Sequence, residues 1–79
     1  MSRRTRTDII KEILELCSNP VNKTAIVYSC NLNFKIVKKY LSWCFINGWL
    51  KQTGNKYQTT VLGNDYLNIL IPVVKLIQF

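Results

Sequence analysis

The stretch Asn31-Leu-Asn-Phe-Lys-Ile-Val-Lys-Lys-Tyr-Leu-Ser-Trp-Cys-Phe-Ile-Asn-Gly48 decides how the rest of the chain is read. It predicts one helix with both ends marked. Asn33 suits the N-cap, because its side-chain oxygen can accept an orphaned backbone N–H of the first turn. Gly48 suits the left-handed residue that closes a helix. Between them Phe34, Val37, Leu41, Cys44 and Phe45 recur at helical spacing and define one apolar face. Lys35, Lys38 and Lys39 fall outside that face. A helix with a core side and a lysine side, entered through a short polar turn, suits a DNA groove. Taken alone, it fits an ordinary amphipathic helix with solvated lysines better, so the flanking segments decide.

Upstream, Ser18-Asn19-Pro20 reads as a turn, and Pro20 stops any continuation of the helix before it. Asn22 caps a short second helix from Lys23 to about Ser29, with Ala25, Ile26 and Val27 turned inward. Cys30-Asn31-Leu32 then links a short helix to a longer basic one, which is a helix-turn-helix pattern. Downstream, Trp49-Leu50-Lys51-Gln52-Thr53 and Lys56-Tyr57-Gln58-Thr59 flank Gly54-Asn55, a two-residue hairpin signal. Leu50 and Tyr57 face the core, leaving Lys51, Gln52 and Lys56 free. The fold class is therefore mainly α with a small β-hairpin: a winged helix-turn-helix.

The outer helices complete the plan. Thr5 with Asp8 resembles a capping box, with Asp where Glu or Gln is usual. The first helix runs to about Cys17 and buries Ile9, Ile10, Ile13, Leu14 and Cys17. Ahead of it Arg3, Arg4 and Arg6 are either solvated or an arm lying on phosphates. Thr60 caps a fourth helix from about Val61 to the end, weakened early by Gly63 and expected to kink or break near Pro72. That helix is apolar over most of its circumference, with Asn68 and Lys75 marking a narrow polar stripe. Such a helix is covered on several sides, so a homodimer built on Tyr66, Leu67, Leu70, Ile71, Val74 and Ile77 is expected. Residues 1–60 form the winged helix-turn-helix, with the arm at 1–6, the helix-turn-helix at about 22–48 and the wing at 49–59. Residues 61–79 form the hydrophobic C-terminal dimerisation helix of the same compact unit.

With 79 residues the chain makes one small domain that buries only somewhat over ~60% of its unfolded surface. A hydrophobic content of 48% is ample for a core plus an interface. Net charge is +7, from 11 Lys and Arg against 4 Asp and Glu, and its distribution says more than its total. No acid occurs between Leu16 and Asn64, where Lys23, Lys35, Lys38, Lys39, Lys51 and Lys56 lie. A contiguous field of one sign attracts polyanions; the bland alternative is generic basicity. Cys17, Cys30 and Cys44 form no C-x-x-C pair and there is no histidine, so no zinc site is apparent. Cys17 and Cys44 occupy core-like positions, Cys30 a more exposed helix end, and one intramolecular disulfide stays open.

No apolar run fits a secretory signal, and the apolar stretch from Leu67 to Phe79 is too short for a bilayer, which takes ~20 residues. A cytoplasmic, nucleoid-associated protein is expected. Without histidine, paired carboxylates or a glycine-rich phosphate loop, no catalytic constellation assembles, so no enzyme is expected. No cofactor, metal or small-molecule ligand is evident.

Thr5-Arg-Thr-Asp-Ile-Ile, Asn22-Lys-Thr-Ala-Ile-Val-Tyr, Asn31-Leu-Asn-Phe-Lys, Lys39-Tyr-Leu and Asn47-Gly-Trp-Leu together resemble archaeal winged-helix proteins typified by the small basic DNA-binding proteins of Sulfolobus. The likeness covers roughly Thr5 to Leu67. It implies DNA binding, dimerisation through the last helix, and a role in transcription control or chromosome organisation. The short last helix with Pro72 departs from the longer members and argues for a compact helix pair over a long rod.

On this reading the third helix enters the major groove of double-stranded DNA. Asn31, Asn33, Lys35 and Ile36 lie deepest, although Asn33 also serves as cap and Ile36 equally fits a second stripe, with Tyr40 and Trp43, packed on the fourth helix. Lys38, Lys39 and Ser42 are placed for phosphates, as are Lys23 and Thr24 at the start of the second helix. The wing offers Lys51, Gln52, Asn55 and Lys56 to the backbone or minor groove. The alternative is a winged-helix protein–protein interaction module using Trp43, Ile46 and Trp49, which does not bind DNA.

Overall fold

The structure is a computed structural model that describes residues 5–77, with side chains described as far as residue 70. Arg3 and Arg4, and the side chains of Ile71, Val74 and Ile77, lie outside the described residues. The elements in chain order are α1 (Arg6–Leu16), β1 (Val21–Asn22), α2 (Lys23–Ser29), α3 (Phe34–Ile46), β2 (Leu50–Thr53), β3 (Lys56–Thr59) and α4 (Val61–Ile77).

Helix α1 opens on the expected capping box. Thr5 Oγ1 accepts the Asp8 N–H at 3.1 Å, and the Asp8 carboxylate accepts the Thr5 N–H at 3.0 Å. Those bonds, the backbone one first, hold the Asp8 carboxyl below its ordinary 3.8. A carboxyl lowered by folding stabilises fully above its unfolded value and loses that contribution as pH falls through the folded one. Asp8→Asn, which removes the titrating carboxyl, should therefore flatten the stability-versus-pH curve below about pH 4, which acid titration followed by circular dichroism reads.

Two helix ends share one device. At the end of α2, the Asn31 N–H donates to Tyr28 O at 3.3 Å and the Leu32 N–H to Val27 O at 3.0 Å, with Asn31 at φ 54°. At the end of α3, Gly48 donates to Phe45 O at 3.0 Å and Trp49 to Cys44 O at 2.9 Å, with Gly48 at φ 75°. Both are Schellman closures, which need a left-handed residue. Asn31 is thus the hinge of the helix-turn-helix. Asn31→Val should cost about 1–2 kcal/mol and Asn31→Gly should cost little, because only glycine escapes the Cβ penalty there. Urea midpoints of the two variants test this.

The hairpin forms where expected, with Thr53 opposite Lys56 and Leu50 opposite Thr59. Gly54 has φ 61° and Asn55 a negative φ, the pattern of a type II′ turn. The sheet has three antiparallel strands, in the order β1-β3-β2, rather than the hairpin alone. Its third member is the two-residue strand β1, with Val21 opposite Tyr57 and Asn22 opposite Lys56. A run that short leaves no period-2 pattern to read.

At the far end of β3, buried Thr59 ties the sheet to α1. Its Oγ1 donates to Leu14 O at 2.7 Å and its N–H to Cys17 O at 2.8 Å, satisfying carbonyls that the end of a helix leaves open. Thr60 caps α4, accepting the Gly63 N–H at 3.0 Å and donating to Gly48 O. Of the kink or break expected near Pro72, the break does not occur: α4 is helical from Val61 through Ile77.

Ile10, Ile13, Leu14, Cys17, Ile26, Val27, Cys30, Val37, Leu41, Cys44, Leu50, Tyr57 and Leu67 make one core. Three expectations are corrected by it. Phe34 is 52% exposed, because the first turn of α3 projects past the core layer. Phe45 is only partly covered, against the Tyr57 ring at 5.8 Å. Cys30 is buried, since the Schellman turn folds the end of α2 inward. All three cysteines are thiols, and burial pushes Cys17 and Cys44 up to about 12. At pH 8 they hold almost no thiolate, so a disulfide-exchange reagent such as DTNB should react with Cys17 and Cys44 only on unfolding.

Candidate nucleic-acid interface

Val37, Leu41 and Cys44 are seated in the core, and that fixes the rotation of α3 about its axis. With those three inward, Lys35, Ile36, Lys38, Lys39 and Ser42 are all exposed and together line one open trough. No carboxylate lines it among the described residues. Five of the expected contact residues are thus gathered on a single surface, at the spacing of successive helical turns.

The two exposed asparagines also have structural roles. Asn33 Oδ1 accepts the Ile36 N–H at 2.8 Å, so its oxygen serves the cap. That bond takes one of the two lone pairs of the oxygen, and the amide N–H groups remain for a base edge. Asn31 is committed through its backbone to the left-handed turn between α2 and α3.

Strand β1 brings the start of α2 beside the wing, because Asn22 pairs with Lys56. Lys23 is half-buried and Thr24 exposed there, while Asn22 Oδ1 caps α2 by accepting the Ala25 N–H at 2.8 Å. Lys51, Asn55 and Lys56 are exposed on the wing. Gln52 is not free: its Nε2 donates to Gly54 O at 3.0 Å and stiffens the turn. Arg6 is not part of an arm either. As the first residue of α1 it lies with its guanidinium 5.8 Å from the centre of the Trp43 ring.

Acids stand apart from these groups in sequence. Asp8 is engaged in the capping box, and Glu15 lies 3.7 Å from Lys11 as a partly exposed pair that adds little stability. No carboxylate lines the α3 trough among the described residues, so that surface keeps its sign. Sequence reasoning missed two exposed aromatics near the turn, Phe34 and the 76% exposed Tyr28. The signal was present in part: Phe34 is the first helical residue after the cap, where core contact is least.

The expected dimer residues divide. Leu67 is buried in the core of its own chain, and Tyr66 stacks on Trp49 with ring centres 4.0 Å apart, so both are used within the subunit. Leu70 is half-buried. Among the described residues, the large apolar side chains that α4 leaves uncovered are Val61, Leu62 and Ile69. Among the described residues no helix is long and apolar enough to cross a membrane. No group of three or more Cys, Asp or Glu among them could hold a metal.

A basic helix set on a helix-turn-helix and flanked by a three-stranded wing defines the class. The family described as winged helix-turn-helix matches residues 3–78, and the chain belongs to it. It is similar to an uncharacterized protein of Methanocaldococcus jannaschii, 30% identical over 69 residues that cover 86% of this chain and 71% of the relative. A second uncharacterized protein of the same organism is 32% identical over 76 residues, covering 95% of this chain but 36% of that longer protein.

Proposed function

We propose that this chain binds double-stranded DNA as a homodimer, controlling transcription or organising chromosomal DNA as a cytoplasmic, nucleoid-associated protein. The observation that carries the reading is the acid-free surface of Lys35, Ile36, Lys38, Lys39 and Ser42 on the exposed side of α3. Helix α3 lies in the major groove, while Lys51, Asn55 and Lys56 of the wing, with Lys23 and Thr24, hold the backbone. The likeness of the short sequence blocks to small basic DNA-binding proteins of Sulfolobus supports the same reading. The role is one of binding, without catalysis or a cofactor.

Fluorescence anisotropy on a random duplex across a salt series tests it. Affinity should fall steeply with salt, and the logarithmic slope divided by ~0.9 counts the phosphates neutralised. A value of several is expected, and absence of binding at low salt would overturn the reading. The homodimer rests on α4, where Val61, Leu62 and Ile69 are uncovered. Light scattering at micromolar concentration should give twice the monomer mass of 9.2 kDa.

A second reading, a protein-interaction module, is favoured by Ile46, which is 84% exposed, together with the partly exposed Trp43. Trp49 contributes less, being stacked on Tyr66. Retention on heparin that salt releases distinguishes DNA binding from this alternative.

A further inference from the structure

Where α3 faces the start of α1, Arg6, Ile36, Lys39, Tyr40 and Trp43 line a cleft of about 390 Å³. Its aromatic wall is already assembled. The Tyr40 and Trp43 rings stack with centres 6.2 Å apart and planes 17° apart, one helical turn from each other. The Arg6 guanidinium stands 5.8 Å from the centre of the Trp43 ring and so marks one end of that wall. Ile36 adds an aliphatic side, and Lys39 brings a second positive charge from α3.

This lining selects by sign and by shape. Two cations and no carboxylate, among the described lining residues, favour an anion and exclude a cation. Half-buried Tyr40 and partly exposed Trp43 offer flat apolar surface that a bare inorganic anion would leave wet. A duplex phosphate could reach Arg6 and Lys39 from outside, but it would leave the aromatic pair unused. The volume is at the small end for ligand pockets, enough for one substituted ring. Asp8, the nearest acid to Arg6 in sequence, is bound to Thr5, which limits its competition for the guanidinium.

We propose that this cleft binds a small aromatic carboxylate, its ring against the Tyr40–Trp43 pair and its carboxylate held by Arg6 and Lys39. A guanidinium binds a carboxylate in a fork of two parallel hydrogen bonds, and Arg6 holds that group at the edge of the cleft, over the Trp43 ring. The site goes beyond the DNA reading and does not depend on it, since binding is measured on the protein alone.

The chain has two tryptophans, so a ¹⁵N-correlated spectrum shows two indole N–H signals, and Trp43→Phe identifies which is which. Benzoate is titrated against benzamide, its uncharged counterpart, and acetate, which lacks the ring. Benzoate should move the Trp43 signal saturably and leave the Trp49 signal in place. Benzamide and acetate should bind at least about tenfold more weakly, the size of one charge-assisted hydrogen bond. Arg6→Gln and Lys39→Gln, both exposed positions, should each weaken benzoate about five- to tenfold while the rest of the spectrum stays folded. Equal responses to benzoate and benzamide, a shift that never saturates, or unchanged affinity in both variants would overturn the proposal.

Discussion

Gly63→Ala is expected to destabilise the protein by about 3 kcal/mol, at the upper end of what overpacking costs. A Cβ at that position would collide with the Trp49 carbonyl oxygen and lie 2.7 Å from Thr59 Cγ2. Real Cβ atoms do not approach backbone oxygen so closely, so the start of α4 must shift away from Trp49. It cannot shift cheaply. The Gly63 N–H is held by Thr60 Oγ1, the Thr60 N–H by Trp49 O at 2.9 Å, and Tyr66 is stacked on Trp49 one turn later. For a domain whose whole stability is roughly 4–12 kcal/mol, that loss should lower the thermal midpoint by roughly 10–20 °C.

The sign is what makes the measurement informative. In an exposed helix, glycine to alanine stabilises by about 1 kcal/mol, so helix propensity alone predicts a gain here. Gly54→Ala serves as the control: its φ is 61° but nothing lies within 4 Å of the added Cβ. Only backbone strain of about 1 kcal/mol is expected there. Differential scanning calorimetry of both variants separates crowding from strain.

Replacing Lys38 and Lys39 together by glutamine should weaken duplex binding by about 30- to 100-fold at low salt. The salt slope should fall by about 2, one unit for each phosphate that is no longer neutralised. Both lysines are exposed on the trough side of α3, and the residues that fix the helix in place, Val37 and Leu41, are untouched. Stability should therefore stay within about 0.5 kcal/mol of the parent, as for most surface substitutions. The weakening should be equal on duplexes of different sequence, because phosphate contacts position the protein without reading bases. Anisotropy on two unrelated duplexes checks this, and unchanged affinity on both would remove α3 from the interface. An effect confined to one sequence would instead turn these lysines into base readers.

Much of the frame was legible because it is written in short-range chemistry. Asn33 and Asn22 cap the helices they were expected to cap, and Gly48 closes α3. Gly54-Asn55 turns the hairpin. Each of these depends on residues within four positions of one another, where backbone geometry leaves few choices. The trough on α3 was legible for the same reason: a helix period of 3.6 separates Val37, Leu41 and Cys44 from Lys35, Lys38 and Lys39 without help from the rest of the chain.

Local pattern along the chain thus sets the order of elements, their caps and turns, and the sign of the exposed charge. Packing between segments settles which groups are spent and which are free. Arg6 reads as part of a basic arm until α1 and α3 meet and set it over Trp43. Tyr66 and Leu67 read as interface until Trp49 and the core take them up. Gly63 reads as a weak spot in a helix until the Trp49 carbonyl is found against it. Strand β1 gains its identity only from Tyr57 and Lys56, more than thirty residues away. In each case the deciding partner is distant in sequence. Contact between segments is a property of how they pack, and local pattern carries no trace of it.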